Sequence, residues 1–260
     1  MDESYKLQIK INPDGVAKKL YEIQENSIAY IFFGLQLLEN TNNLKPAHEL
    51  ANGEGFFTYA ISTKSLTTPE KKENFKKWLI KKGIEDLIKG LKLMLMDACV
   101  YGALYSNKDE IKKSDQYNSI VTNEKRAIQK LGIPQLFDRM ENFLTGKLLS
   151  KDKLLTINQV RNCLTHRNGV VQQMDANNKD KTLFTLRYSG FRILKYTDDG
   201  QEIEINGPFN TEGTQINIGI IEKSMSFEIG DSLSFDYQTF NEINLTFSIF
   251  SHDLIQKLPR

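Results

Sequence analysis

The sequence predicts a mainly α-helical protein that carries a small antiparallel β-sheet, which is an α+β fold. Apolar residues recur at helical spacing through residues 14–170, and this pattern predicts a series of amphipathic helices. Over residues 181–235 the period changes to two, which is typical of half-buried strands. Helical spacing then returns over residues 236–258, where we expect a terminal helix that folds back onto the preceding helices. The predicted order is therefore helices, sheet, helix.

Residues 1–13 are predicted to form an N-terminal strand that joins this sheet. Apolar and polar side chains alternate strictly over Tyr5–Ile11, and the stretch Asn12–Gly15 carries the Pro and Gly of a turn. An isolated strand would leave its backbone groups unpaired, so we expect it to pair at the edge of the β region.

Two long helices follow. Asp14 is the expected cap of the first, which runs to about Leu38, and Thr68-Pro69-Glu70 supplies cap, proline and acid at the start of the second. The second helix is predicted to reach Tyr105, and residues 41–67 between the two keep no lasting period and suggest a loop with a short strand. Three glycines in the second helix are expected to allow close helix packing: Gly83, Gly90 and Gly102.

Shorter elements complete the helical part. Residues 106–119 are polar and are predicted to be a loop. A helix from Asn123 is interrupted at Gly132-Ile133-Pro134 and resumes to Leu144. Ser150 is the expected start of the next helix, which carries the motif described below.

The β region has a hairpin signature, in which Phe191–Tyr196 turns back into Gln201–Ile205. Phe184, Leu186 and Tyr188 alternate with polar residues, and Asp198-Asp199-Gly200 predicts a hairpin turn. Further predicted strands are Ile216–Ile221, Met225–Ile229 and Leu233–Phe235.

Composition excludes some classes of protein. The chain has 260 residues with 34 Lys and Arg against 33 Asp and Glu, so its net charge of +1 offers no global attraction to nucleic acid. Cys99 and Cys163 fall in apolar helical patterns and are expected to be buried, reduced thiols of a cytoplasmic protein. The acidic start predicts no signal peptide, and the longest apolar run, 27–38, is too short to span a membrane. We expect no cofactor and no metal site.

The run Val160–Gly169 is the most informative segment of the chain. It places Arg161, Asn162 and His166 on the last turns of a short amphipathic helix. Asn168-Gly169 then predicts the helix end, because both residues accept a left-handed backbone conformation. Few other residues of the chain can do acid–base chemistry at neutral pH, so this segment is the candidate site.

The motif presents a polar face. Asn162 and His166 are four residues apart and share one side of the helix, opposite an apolar stripe centred between Val160 and Leu164. Arg161 lies on the flank of that side. We therefore expect the polar groups to point away from the core of their own subunit, toward solvent or toward a second subunit.

Such residues suit the cleavage of RNA without a metal ion. The reaction needs a base for the 2′-hydroxyl proton, an acid for the leaving 5′-oxygen and a cation for the charged phosphorane. Histidine suits the first two roles and arginine the third. One chain offers one suitable pair, His166 and Arg161, whereas a two-fold homodimer that apposes the motif helices would supply two.

The pattern Arg161-Asn162-x-x-x-His166 resembles the Arg-polar-x-x-x-His signature of the HEPN superfamily. The resemblance covers about residues 14–170 and 236–258, and it leaves the β region at 181–235 as an elaboration. It implies a four- to five-helix bundle that dimerises through the motif helices. Many members are metal-independent endoribonucleases of toxin–antitoxin, abortive-infection and other phage-defence systems, and others are inactive partner or scaffold domains.

The resemblance implies roles for the motif residues. His166 is then the acid–base group, Arg161 stabilises the phosphorane, and Asn162 orients both. Arg167 is a candidate contact to RNA phosphate and equally a helix-end cation favoured by the helix dipole. A purely structural interpretation of the motif is a solvated helix end with a cap-stabilising histidine and a surface amide.

Other residues favour structural roles. His48 and His252 are expected to be structural, and Trp78 is expected in the core or at an interface. Glu85 and Asp86 are alternative acidic partners for Arg161. A basic run begins the second long helix and is interpreted first as a solvated face and second as a phosphate track: Lys71, Lys72, Lys76, Lys77, Lys81 and Lys82.

Three functions remain open at this stage. The first is a dimeric, metal-independent endoribonuclease that cleaves single-stranded RNA as a toxin or defence effector, with an antitoxin or sensor protein as its partner and no membrane association. The second is a non-catalytic HEPN module for dimerisation or partner binding. The third is a sensor whose β region binds a ligand or a phage component.

Overall fold

A computed structural model describes residues 12–40, 68–196, 201–205 and 216–260. These ranges contain a 3₁₀ turn at Pro13–Ala17, α1 (Lys18–Asn40), α2 (Pro69–Ser106), α3 (Ser114–Ile128), α4 (Ile133–Glu141), α5 (Lys151–His166), a 3₁₀ turn at Gln173–Asp175, β1 (Leu183–Tyr196), β2 (Glu202–Glu204), β3 (Ile216–Glu228) and α6 (Tyr237–Lys257). The protein is thus mostly helical with a small antiparallel sheet, which confirms the predicted α+β class.

Several predictions fall outside the described residues. They are the N-terminal strand at 5–11, the loop with its short strand at 41–67, His48 and the hairpin turn at 198–200.

Helix α2 is the axis around which the other helices pack. It starts at the predicted Thr68-Pro69 signal, where the Thr68 hydroxyl accepts a hydrogen bond from the Lys71 amide. Helix α1 runs antiparallel to it, because Lys19 Nζ meets Asp97 at 3.1 Å and residues near the other end of α1 meet the start of α2. Helix α6 runs opposite to α1 and therefore parallel to α2, since the Gln24 amide donates to Asn244 Oδ1 at 2.8 Å while the earlier Tyr21 meets the later Ser251 at 3.0 Å.

Glycine sets the distance between these helices. A Cβ atom added at Gly83 would lie 2.4 Å from Ile31 Cδ1 and 2.6 Å from the Phe240 ring, so both α1 and α6 press directly on the α2 backbone there. At Gly102 the added atom would lie 2.3 Å from Phe143. The predicted use of glycine for close helix packing is confirmed at these positions.

Two element boundaries differ from the sequence-based expectation. Asn12, not Asp14, caps the first turn, with its Oδ1 accepting from the Asp14 amide at 3.0 Å. Helix α3 begins at Ser114, so the prediction of a loop over 106–119 is wrong for its last six residues. The first turns of α3 are largely exposed and have no apolar stripe, so the periodicity gave no signal; the Gln116 side chain starts the helix by accepting the Lys112 amide at 2.7 Å.

The sheet has the strand order β2-β1-β3, and all its pairs are antiparallel. Leu183 pairs with Glu228 at one end and Lys195 with Ile216 at the other. Strand β3 is continuous where two strands had been predicted, and the stretch predicted as a strand at 233–235 is not one; only a single bridge joins Val170 to Ser232 near it.

Side chains from the helices cap the edge of β1 that β3 does not cover. An unpaired strand edge is a template for unwanted pairing, so proteins blunt it. The Thr156 hydroxyl from α5 both accepts from the Arg187 amide at 3.0 Å and donates to the Arg187 carbonyl at 3.2 Å. The Asn177 side chain bonds both the amide and the carbonyl of Thr185, and the Thr246 hydroxyl of α6 accepts from the Ser189 amide. The Thr156 bonds attach the sheet directly to the motif helix.

We expect Gly83→Ala to destabilise the protein. Helix propensity alone would favour alanine by up to about 1 kcal/mol. The added methyl group must however displace Phe240 or Ile31, and overpacking of this kind costs about 1–3 kcal/mol. Urea unfolding followed by circular dichroism measures the net change.

The control is Asp86→Ala, which places alanine at an exposed position of the same helix and should be neutral or stabilising. A stabilised Gly83→Ala variant would contradict the close packing at this position.

Candidate functional site

The motif lies on α5, which begins after Ser150 as predicted. Its apolar face, which includes Leu154, Ile157 and Val160, is fully buried against α2 and β1. The helix ends at a left-handed turn in which Asn168 has φ 52° and Gly169 has φ 79°. The Gly169 amide donates a hydrogen bond to the Cys163 carbonyl at 3.0 Å, so the predicted helix end is confirmed.

Arg161 faces α2. Its Nη2 donates to Asn158 Oδ1 at 3.1 Å, and its buried Nε has no hydrogen-bond partner among the residues that the structure describes. One turn later, the Thr165 hydroxyl donates to Glu85 Oε1 on α2 at 3.1 Å. Asn158, Arg161 and Thr165 thus form one polar row at spacings of three and four residues, which meets α2.

Glu85 was an alternative acidic partner for Arg161, and its carboxylate is engaged elsewhere. Lys82 donates to Glu85 Oε2 at 2.5 Å and Thr165 to Oε1. Burial works to raise the pKa of Glu85, but the hydrogen bonds from Lys82 and Thr165 outweigh it and hold that pKa below its usual range. Glu85 is therefore an anion at neutral pH, and no ion pair links it to Arg161.

A groove opens between α2 and α5 at this row. It has a volume of about 390 Å³ and is lined by Glu85, Ile88, Lys89, Lys92, Ile133, Arg161 and Thr165. Ile88 and Ile133 are buried and give the groove an apolar floor. Charged side chains occupy its walls.

His166 and Asn162 lie on a different side of α5. His166 is exposed and Asn162 is half-buried, and neither makes a hydrogen bond to any residue within the described ranges. At about 100° per residue, Arg161 and His166 are about 140° apart around the helix axis. One chain therefore does not bring its guanidinium and imidazole groups together.

The orienting residue of Arg161 is Asn158. Asn162 had been predicted to orient both Arg161 and His166, yet no hydrogen bond joins it to either. Asn158 is buried and holds the guanidinium instead. Its position three residues before Arg161 on the same helix face was the available signal.

Arg167 is an internal ion-pair residue. Its Nε donates to Asp175 Oδ2 at 2.8 Å and its Nη2 donates to Asp175 Oδ1, a bidentate pair. The two side chains are only 13% and 4% exposed. Asp175 also accepts from the Gln172 amide at 3.0 Å. The geometry thus gives Arg167 a structural role in the turn after the motif helix, and its interpretation as an RNA-phosphate contact stays a prediction.

The remaining candidates have structural surroundings. Burial raises the pKa of Cys99 to about 12 and also raises that of Cys163, so both thiols stay protonated near neutral pH. His252 pairs with Gln256 at 2.8 Å on the exposed side of α6. Trp78 was expected in the core or at an interface; it is half-exposed and stacks on Phe75 with 5.6 Å between ring centres.

Two further observations concern the described ranges. They contain no group of three His, Cys, Asp or Glu side chains that could hold a metal ion. No helix in them combines the length and the apolar character needed to cross a membrane.

Comparison with known proteins identified no matching family model, no similar curated protein and no similar solved structure.

We expect Arg167→Ala to lower the free energy of unfolding by about 3 kcal/mol or more. Removing one partner of a buried ion pair leaves the Asp175 carboxylate without compensation. Urea unfolding measures the loss.

The matched control is Arg192→Ala, which removes an exposed pair with Glu204 whose side chains are 47% and 44% exposed. Exposed pairs contribute roughly 0–1 kcal/mol. Similar losses in the two variants would contradict a structural role for Arg167.

Proposed function

We propose that the protein is a metal-independent endoribonuclease of the HEPN type that cleaves single-stranded RNA. The observation that carries the proposal is the composition of α5. Its last turns hold a guanidinium fixed in a groove and, on another side, an exposed imidazole with no partner in the described chain. The helices support the same proposal. Helix α5 runs antiparallel to α2, since Thr165 meets Glu85 while the earlier Arg161 lies beside the later Lys92, α1 is also antiparallel to α2, and α6 is parallel to it.

The chemistry follows from these two groups. A base removes the proton of the ribose 2′-hydroxyl, the 2′-oxygen attacks phosphorus, and the bond to the 5′-oxygen breaks as an acid protonates that oxygen. The products are a 2′,3′-cyclic phosphate and a 5′-hydroxyl. His166 supplies the proton transfers, and Arg161 stabilises the negative charge of the phosphorane.

A second copy of the chain completes the site. Because Arg161 and His166 lie on different sides of one helix, a partner helix must bring its own groups into reach. Two-fold pairing of α5 next to the groove that holds Arg161, with Asn162 and His166 in the pairing surface, supplies two histidines beside that guanidinium, one as base and one as acid. Asn162 then lies between the two helices, where it can orient the imidazoles.

The biological role that goes with this activity is that of a toxin or phage-defence effector, controlled by an antitoxin or a sensor protein. A non-catalytic HEPN module that binds a partner through the same face is the alternative.

We expect EDTA-resistant cleavage of single-stranded RNA that His166→Ala and Arg161→Ala each reduce by about 10²–10⁴-fold, since each removes a group that acts in the transition state. Gel analysis of labelled RNA, with mapping of the cyclic phosphate ends, measures the effect. His252→Ala is the control, because it removes a histidine from a different surface. If His166→Ala cleaves as fast as the parent, the non-catalytic module becomes the better account.

We expect a homodimer at micromolar concentration in light scattering. Asn162→Glu should shift it toward the monomer, because two-fold pairing would bring like charges together. Asn118→Glu adds the same charge to the exposed side of α3 and should leave the dimer intact. A monomeric parent protein would count against the shared site.

A further inference from the structure

The groove between α2 and α5 has a local excess of positive charge. Arg161, Lys89 and Lys92 face it, and Glu85 is the one acidic side chain that lines it. Glu85 is already balanced by its ion pair with Lys82. The groove is therefore cationic, although the whole chain has a net charge of only +1.

Lys89 and Lys92 have no partner within the described part of the chain. Several other lysines do, such as Lys151 of α5 with Glu141 at 2.9 Å and Lys223 of β3 with Glu242 at 2.6 Å. Two unpaired ammonium groups beside an arginine repel one another, and that arrangement is favourable when an anion is bound between them. The position of these cations thus points to an anionic ligand.

The shape of the groove narrows the class of ligand. Its volume of about 390 Å³ falls within the range of roughly 300–1,000 Å³ that small-ligand sites occupy. The floor at Ile88 and Ile133 is apolar and suits the face of a sugar or base. Cβ atoms three residues apart on a helix lie about 5–6 Å apart, so Lys89 and Lys92 can contact neighbouring phosphates of one strand.

We propose that Lys89 and Lys92 bind the backbone phosphates of single-stranded RNA that enters this groove, with one nucleoside against Ile88 and Ile133. The proposal rests on the proposed ribonuclease function. Arg161, held by Asn158, lies at the α5 wall of the groove and meets the scissile phosphate. The lysines of α2 are positioning residues that hold the strand on either side of it.

The test separates binding from cleavage. A fluorescent RNA oligonucleotide with 2′-O-methyl groups cannot form the attacking 2′-oxyanion, so its binding to the His166→Ala protein is measured by anisotropy without turnover. We expect the Lys89→Ala/Lys92→Ala pair of changes to weaken binding several-fold at low salt. The slope of log affinity against log salt should fall by about 1.4, since each phosphate contact to a single strand contributes about 0.7.

Lys112→Ala is the matched control, because Lys112 is an exposed lysine beyond the far end of α2. It should leave the affinity and the salt slope unchanged. Thermal unfolding checks that all variants retain the fold of the parent.

The outcomes distinguish this inference from the proposed function. If cleavage by the unmodified protein depends on His166 but the paired lysine changes leave RNA binding intact, the inference is overturned and the nuclease proposal stands. If RNA binding depends on both lysines while no cleavage occurs, the groove assignment stands and the nuclease proposal fails. Absence of RNA binding by the His166→Ala parent overturns the inference directly.

Discussion

The close packing of helices against α2 is the constraint on which the rest of the structure depends. Helix α2 has 38 residues and is about 57 Å long, and α1 and α6 press on its backbone at Gly83. Side chains larger than hydrogen at that position would hold the three helices apart. Because α1 and α6 occupy that side of α2, α5 packs on another, where Arg161 meets the charged residues of α2.

The sheet then fixes the motif helix from the other side. Hydrogen bonds from Thr156 join α5 to the uncovered edge of β1, and Thr246 joins α6 to the same edge. The bidentate pair of Arg167 with Asp175 holds the turn that follows α5. A helix supported by core packing, a strand edge and a buried ion pair presents its exposed end in one orientation, and a site needs such support to work.

In this protein, the location of charges that lack a partner indicates a binding surface better than the net charge does. Positive and negative side chains nearly cancel over the chain, and several half-buried cations have an acidic partner, among them Arg139, Lys151 and Lys223. Arg161 and Lys92 have no acidic partner within the described residues, and they meet at one groove with exposed Lys89 beside them. Uncompensated charge at low exposure carries a free-energy cost, so its concentration beside the motif supports a function for that groove in binding an anion.

The features that depend on near neighbours along the chain were predictable from the residues alone. Periodicity and capping residues predicted the α+β class, both ends of α2, the start and end of α5 and the terminal helix, because these follow from spacing along the chain. Packing between elements that are distant along the chain determines which side chains contact one another. It directed Arg161 to Asn158 and to the α2 groove rather than to His166, gave Arg167 a buried partner in Asp175, and extended α3 to Ser114. Side chains of the same type differ in role according to the burial and the partner that distant elements provide, and spacing along the chain carries no record of either.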